Sequence, residues 1–267
     1  MFNVNSSFYQ FLTALQDKLD TEFDLRALSE TACLLSATNK TPVHIIYYLS
    51  DSDKRIQLDV DARCIHIDED LWINRPVLLL NRIASLAGKA RRIHARDTVA
   101  ARIDKSVAMA FQQENHLQVA LPGKYRYGLF HSGDLVAIAV FSGGRKMNNQ
   151  PDNYRSFELL RFCHKQGIQV VGGFSKLIDA FQQEFHPGDI MTYADKDWSD
   201  GDSYRKIGFM IVGQTEPQQF WINTHTKQRY DEHTLPEEIK NASLPMRKKL
   251  GYTPIYNSGS IKLVKVL

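Results

Sequence analysis

Apolar positions recur at two different periods along this chain, and each change of period marks an element. Phe8, Phe11, Leu12 and Leu15 follow helical spacing, as do Leu25, Leu28, Cys33 and Leu34–Leu35. This predicts helix across Ser6 to Ser36, with Asp24 capping the second of two helices. Asn39-Lys-Thr-Pro42 interrupts the pattern. Val43-His-Ile-Ile-Tyr-Tyr-Leu49 is β-branched and aromatic and reads as a strand. Arg55 to Val60 alternates and is expected to pair with it across the turn residues Asp51-Ser-Asp53. Cys64-Ile-His-Ile-Asp68 is a third strand. Pro76 then opens a helix through Leu86, which Gly88 closes.

The second half begins at Arg91. Arg92 to Arg96 reads as a strand. Thr98 is expected to cap a helix running to about Asn115, with Val99, Ile103, Val107, Ala110 and Phe111 inward. Tyr125 to Phe130 and Asp134 to Phe141 flank His131-Ser-Gly133 as a hairpin. A polar loop, Gly143 to Asp152, precedes the apolar run Phe157 to Cys163, which has the length of a buried strand. Gly172 and Gly173 then turn the chain, and Ser175 and Lys176 open a helix with Leu177, Ile178 and Phe181 on its inner face. The free N–H groups of that helix start form an anion site suited to a pyrophosphate; a tight strand-to-helix turn without a ligand fits the same residues. Ile190 to Ala194 is a strand, Tyr204 to Ile207 a short helix ended by Gly208, and Phe209 to Val212 another strand. Tyr252 to Tyr256 and Ile261 to Val266 supply the last strands.

Composition narrows the class. The chain has 267 residues, 43% hydrophobic and 24% charged, as a water-soluble globular protein does, and is long enough for one large or two small domains. No apolar run spans a bilayer, and the first residues lack a basic and apolar leader. Cys33, Cys64 and Cys163 are scattered, which argues for a reducing compartment and points to the cytoplasm. The histidines show no ligand spacing, so no metal is expected. Net charge is +3, but the cations cluster at Lys89 to Arg96, at Arg145-Lys146 and at Arg247 to Lys249. These are solvated faces or nucleic-acid contacts. Asp59, Asp61, Asp68, Glu69 and Asp70 gather acids that could hold Mg²⁺, although no Lys follows them at nuclease spacing.

Gln169-Val-Val-Gly172-Gly-Phe174 and Tyr204-Arg-Lys206-Ile-Gly208-Phe209 resemble the GNAT acyltransferases. These carry a Gln/Arg-x-x-Gly-x-Gly/Ala pyrophosphate loop and often a Tyr-x-Lys-x-Gly-Phe helix. Phe174 stands where the family has Gly or Ala. The element order from Arg91 to Leu267 is also that of the family. Ile65 to Trp72, with Arg82-Ile83 and Arg92 to Arg96, resembles a run in phage and mobile-element proteins where a nuclease-like part precedes a GNAT-like part. The resemblance implies a mixed α/β fold whose central sheet is mostly antiparallel and flanked by helices. It implies a small α/β region at 1–90, a possible nuclease remnant, before a GNAT-like domain at 91–267.

It also implies an activity: transfer of an acyl group from acetyl-CoA or another acyl-CoA to an amine, with an amine carried by DNA or RNA as one candidate. The thioester would lie along Leu160, Arg161 and Phe162, and the pyrophosphate on Gly172, Gly173, Ser175 and Lys176. Tyr204 would protonate the leaving thiolate, which a phenol of ordinary pKa near ~10 can do. Glu158 would act as base toward the amine, and Asp195, at a strand end, would orient the acceptor. His116 would border the acceptor cleft, and Trp198 would stack a base. Each has a plainer role open to it: packing for Tyr204, pairing for Glu158 and Arg161, and capping for Asp195 and His116. The rival function is a DNA-binding or nuclease-accessory module on a non-catalytic GNAT-like scaffold, and a metal nuclease on Asp59 and Asp68 is a third.

Overall fold

A computed structural model describes residues 2–38, 43–52, 54–58 and 63–267. In chain order its elements are α1 (Ser6–Leu19), β1 (Phe23–Ala27), β2 (Ala32–Ala37), β3 (Val43–Tyr48), β4 (Arg63–Asp68), α2 (Glu69–Asn74), α3 (Pro76–Leu86), β5 (Arg91–His94), β6 (Val99–Arg102), α4 (Lys105–Asn115), β7 (Tyr125–His131) and β8 (Asp134–Phe141). They continue with β9 (Ser156–His164), β10 (Ile168–Val171), α5 (Gly173–Phe185), β11 (Asp189–Asp195), α6 (Asp202–Arg205), β12 (Met210–Gln214), β13 (Gln219–Asn223), β14 (Arg229–Tyr230), α7 (Glu237–Lys240), α8 (Leu244–Lys249), β15 (Tyr252–Tyr256) and β16 (Ser260–Val266). No helix among the described residues is long and apolar enough to cross a membrane.

The chain divides into two units. The first joins Met1–Leu80 with Asp195–Asp200 and Thr215–Ser260; the second holds Asn81–Ala194, Gly201–Gln214 and Ile261–Leu267. The sequence reading divided the chain at residue 90. The two later segments grouped with the first unit sit far from it in sequence, and only contacts in space assign them.

In the first unit, β1 to β4 form one sheet in that order, with β3 and β4 parallel. Phe8 and Phe11 of α1 pack their rings on Tyr47 at 5.4 and 4.8 Å. The helix stops at Leu19, where Asp20 turns left-handed (φ 48°) and its N–H reaches the Gln16 carbonyl. The helix expected to continue to Ser36 is instead the β1–β2 hairpin, with Asp24 opposite Ser36. Ala32 to Leu35 are all buried, so both faces of β2 are covered, and a short continuous apolar run does not distinguish helix from strand. Arg55 to Leu58 form no ladder; Ile56 and Leu58 alternate because they pack on Leu34, Ile46 and Tyr48. Asn39 to Pro42, Asp53 and Asp59 to Asp61 lie outside the described residues. A second sheet, β14-β13-β15, completes the unit.

The second unit is a mixed α/β fold around a seven-stranded, mostly antiparallel sheet in the order β12-β16-β11-β9-β8-β7-β6. Along β8, Ala137, Ala139 and Phe141 face α5, while Ile138 and Val140 face α4 with Ala108 and Phe111. The alanines let α5 approach, and Phe181 stacks on Phe141 at 3.9 Å with 10° between the rings. Phe181 is fully buried, so Phe181→Ala is expected to cost about 3–5 kcal/mol in urea unfolding.

The helix expected from Thr98 begins later. Val99–Arg102 pair with β7, Thr98 Oγ1 donates to the Ala95 carbonyl at 2.7 Å, and α4 starts after Asp104. Val99 and Val107 are therefore exposed, and the inward residues are Ala108, Phe111 and Gln112. Four residues of strand precede the helix, and that shifts the inward set.

Candidate functional site

β9 and β11 run parallel and pair only from Ser156↔Asp189 to Leu159↔Thr192; beyond that they part. At the same point β9 bulges. Phe141 opposes Leu159 and Val140 opposes Arg161, which leaves Leu160 without an opposite residue. A parallel pair that opens at a bulge exposes main chain on the inner side of the opening.

The side chains around the opening come from β9, α5, α6 and the residue before β12. Phe162 stacks on Phe174 at 4.5 Å, Phe174 meets Tyr204 edge-on at 5.1 Å, and Phe209 lies 6.2 Å from Phe174. Burial raises the Tyr204 phenol above its ordinary value, against the opposing pull of Arg82 and Arg161. Arg161 Nε and Nη2 donate to the Val119 carbonyl at 3.2 and 3.1 Å, and Nη1 donates to the Leu160 carbonyl at 2.6 Å. All three guanidinium nitrogens thus donate to main chain. Glu158, two residues before the bulge, is half-buried, with Oε2 3.9 Å from Arg145 Nη2.

The start of α5 carries the other candidates. Gly172 adopts φ 77°, and no side chain caps the helix. Gly173 serves packing: a Cβ there would stand 2.8 Å from Val170 Cβ and 3.0 Å from Leu129 Cδ1. Ser175 is half-buried. Lys176 Nζ donates to the Ala95 carbonyl at 2.8 Å and also to the Thr98 carbonyl. The ammonium therefore ties the helix to the turn before β6.

Two residues at this opening were not anticipated from the sequence. His164 lies two positions beyond Phe162 on the same face, and the rings meet at 4.9 Å. Burial and the Arg82 charge push it down to about 4, so it is neutral at pH 7, and its buried Nε2 has no partner among the described residues. Arg82 also acts on Cys163, whose thiol burial pushes up to about 12. A polar triplet of Cys, His and Lys closing an apolar strand was the available signal.

No protein-family model and no curated protein matches the chain. Solved structures do. Ard1 from Thermoplasma volcanium is similar at 11% identity and TM-score 0.38, over 64% of this chain and 98% of that one. The ribosomal-protein-S18-alanine N-acetyltransferase from Escherichia coli is similar at 9% and 0.39, over 63% and 93%. A GNAT family acetyltransferase from Elizabethkingia anophelis with acetyl-CoA bound is similar at 12% and 0.35, over 64% and 99%. Likeness of this degree assigns no activity to the chain.

The remaining candidates are His116, Asp195 and Trp198. His116 ends α4, and its Nδ1 accepts from the Gln118 N–H at 3.1 Å. Asp195 and Trp198 belong to the first unit. Asp195 Oδ1 accepts from the Asp197 N–H at 2.9 Å, and the Trp198 carbonyl accepts from Arg63 at 2.6 Å. Both serve a turn that joins β4, where the His66 N–H meets the Asp197 carbonyl at 2.9 Å.

Asp68, Asp70 and Asp197 of the first unit are paired with guanidinium groups. Arg55 grips Asp68 with two bonds of 2.6 and 2.8 Å and reaches Asp197 at 3.0 Å. Arg229 bonds Asp68 at 2.7 Å and forks onto Asp70 at 2.9 and 2.6 Å. Glu69 accepts from Ser50 Oγ at 2.5 Å and Asn5 Nδ2 at 2.7 Å. Among the described residues no set of acids, histidines and cysteines converges on a metal position. The carboxylate of Asp68, expected as a nuclease ligand, is engaged by two arginines, and its expected partner Asp59 lies outside the described residues.

Proposed function

We propose that the second unit is an acyl-CoA-dependent N-acyltransferase of GNAT type, with an amine as acceptor. The parting of β9 and β11 at the Leu160 bulge, with the Tyr204 phenol beside it, carries this reading. The chain's residues fit the two ends of an acyl-CoA unequally. The uncapped start of α5, at Gly172 to Ser175, fits a diphosphate. The opening beside Leu160 to Phe162 fits the acyl arm once the Phe174 ring turns aside. An acyl-CoA supplies an acyl group already activated as a thioester. Tyr204 holds a proton at Oη for the leaving sulfur, and its raised pKa keeps that proton in place at neutral pH. Glu158 takes the proton from the attacking amine. The exposed cations between Lys89 and Arg96 favour an amine carried on a nucleic acid.

One observation favours a second reading, a binding module with no acyl transfer. The Phe174 ring packs against Phe162, Tyr204 and Phe209. Displacing it forfeits aromatic contacts of about 0.5–1.5 kcal/mol each. Calorimetric titration with acetyl-CoA separates the two readings. Under the transferase reading the wild type binds, and Phe174→Ala tightens the Kd by roughly 10- to 100-fold, the factor those contacts imply. Binding by Phe174→Ala alone supports the second reading. No heat from either protein at millimolar ligand removes the first.

A further inference from the structure

One two-stranded ribbon carries a run of cations without a carboxylate. β5 pairs in parallel with β10, with Arg91 opposite Ile168, Arg92 opposite Gln169, Ile93 opposite Val170 and His94 opposite Val171. Ile93 and Val170 turn inward and are buried. Arg92 and His94 stand on the other face, toward solvent, beside the exposed Val171. Arg91 at the ribbon's end and Arg96 in the following turn are exposed too. From Lys89 to Arg96 there are four cations (Lys89, Arg91, Arg92, Arg96) and no carboxylate, against a net charge of +3 for the whole chain. Among the described residues neither Arg91 nor Arg92 has an ion-pair partner. The opposing charges nearby are Asp97, 3.8 Å from Arg96, and Asp134, 3.5 Å from Lys165. Lys165 sits two residues before Gly167, whose carbonyl accepts the Arg91 N–H at 2.9 Å. A Cβ placed on Gly172 would stand 3.4 Å from the Ala95 methyl, so the ribbon ends against the positive end of α5.

We infer that the solvent face of the β5–β10 ribbon, with Arg91, Arg92, His94, Arg96 and Lys165, is a docking surface for the phosphate backbone of duplex DNA. Arginines on an extended strand present guanidinium forks that match phosphate oxygens. The unpaired state of Arg91 and Arg92 means that no internal partner has to be given up. The face carries no large exposed ring: among the described aromatic residues the most exposed are Tyr9 and Tyr193, on α1 and β11. Single strands are held by base stacking on such rings, whereas a duplex is held by its backbone alone. The surface therefore suits a duplex read without regard to sequence. It involves no thioester, so it stands or falls apart from the acyl-transfer reading. If both hold, the acceptor amine is brought to the protein on DNA.

The test is fluorescence anisotropy with the full chain and a labelled 24-base-pair duplex of arbitrary sequence, at 50, 100 and 200 mM NaCl. About three to four neutralised phosphates give a log–log salt slope of about −3, hence a loss of affinity of roughly 60-fold across that range. Arg92→Gln combined with Arg96→Gln should make the slope shallower by about 2 and weaken binding at least about tenfold at 50 mM. Lys248→Gln with Lys249→Gln, exposed cations of α8 in the first unit, should leave both unchanged. All four positions are on the surface, and an unchanged thermal midpoint confirms that the variants fold. The inference is overturned by absence of binding at 50 mM, by an unchanged slope in the Arg92/Arg96 variant, or by tighter binding to a single strand of the same length.

Discussion

Tyr204→Phe is expected to lower kcat for acetyl transfer by about 10²- to 10³-fold while the KM for acetyl-CoA stays within about twofold. The change deletes one oxygen and leaves the ring that meets Phe174 and Phe209. Ground-state packing is therefore preserved, and only the proton delivered to the leaving sulfur is lost. A factor of that size corresponds to about 3–4 kcal/mol of transition-state stabilisation. The pH profile carries a second signature. Burial raises the phenol above its ordinary value near ~10, so the protonated form is full throughout neutral pH. The wild type should show no falling limb from this group below about pH 10. Retention of kcat within threefold in Tyr204→Phe would assign the residue to packing, since its ring belongs to the aromatic cluster in either case.

Asp68→Asn should destabilise the first unit by about 3–5 kcal/mol, read from urea unfolding. Asn has nearly the same shape, but Arg55 and Arg229 would remain charged with their shared carboxylate gone. The Arg55 side chain is 8% exposed and that of Asp68 5%, so water cannot replace the partner. Burial alone would disfavour the charged form of Asp68. The two guanidiniums outweigh burial and hold it well below the usual carboxylate range. The sign follows from linkage. A group whose pKa is lower in the folded state contributes fully above its unfolded value near ~4 and loses that contribution as pH falls further. His164, neutral because burial pushes it down to about 4, withdraws its own share between about pH 6.5 and 4. The window diagnostic for Asp68 is therefore below about pH 4, where the wild type should lose more stability than Asp68→Asn, which keeps only the losses of carboxylates such as Glu69 and Glu232. Equal unfolding midpoints for the two proteins at pH 7 would contradict the account.

Much of the second unit's frame was legible in the chain. The β-branched and aromatic runs at 125–130, 134–141, 157–163 and 190–194 are strands because each must cover at least one face of a sheet. The helix after Gly172 is amphipathic, and its named inner residues, Leu177, Ile178 and Phe181, are fully buried. Gly208 takes φ 92°, a conformation its motif position anticipated. These are local features: period, turn chemistry and caps act within a few residues.

What the sequence by itself determined is therefore the order and type of these elements and which face of each is apolar. The tertiary structure alone decided where the polar ends of the site residues went. Arg161 and Lys176 look like phosphate ligands by type, yet their donors are met by carbonyls of Val119 and of Ala95 and Thr98. Phe174 follows a glycine pair, yet its ring stacks on Phe162. Asp68 looks like a metal ligand until Arg229, far along the chain, arrives on it. A donor or a ring satisfies itself with whatever group folding brings within reach. Those partners lie 42, 81, 12 and 161 residues away in sequence, at separations where no periodicity carries information.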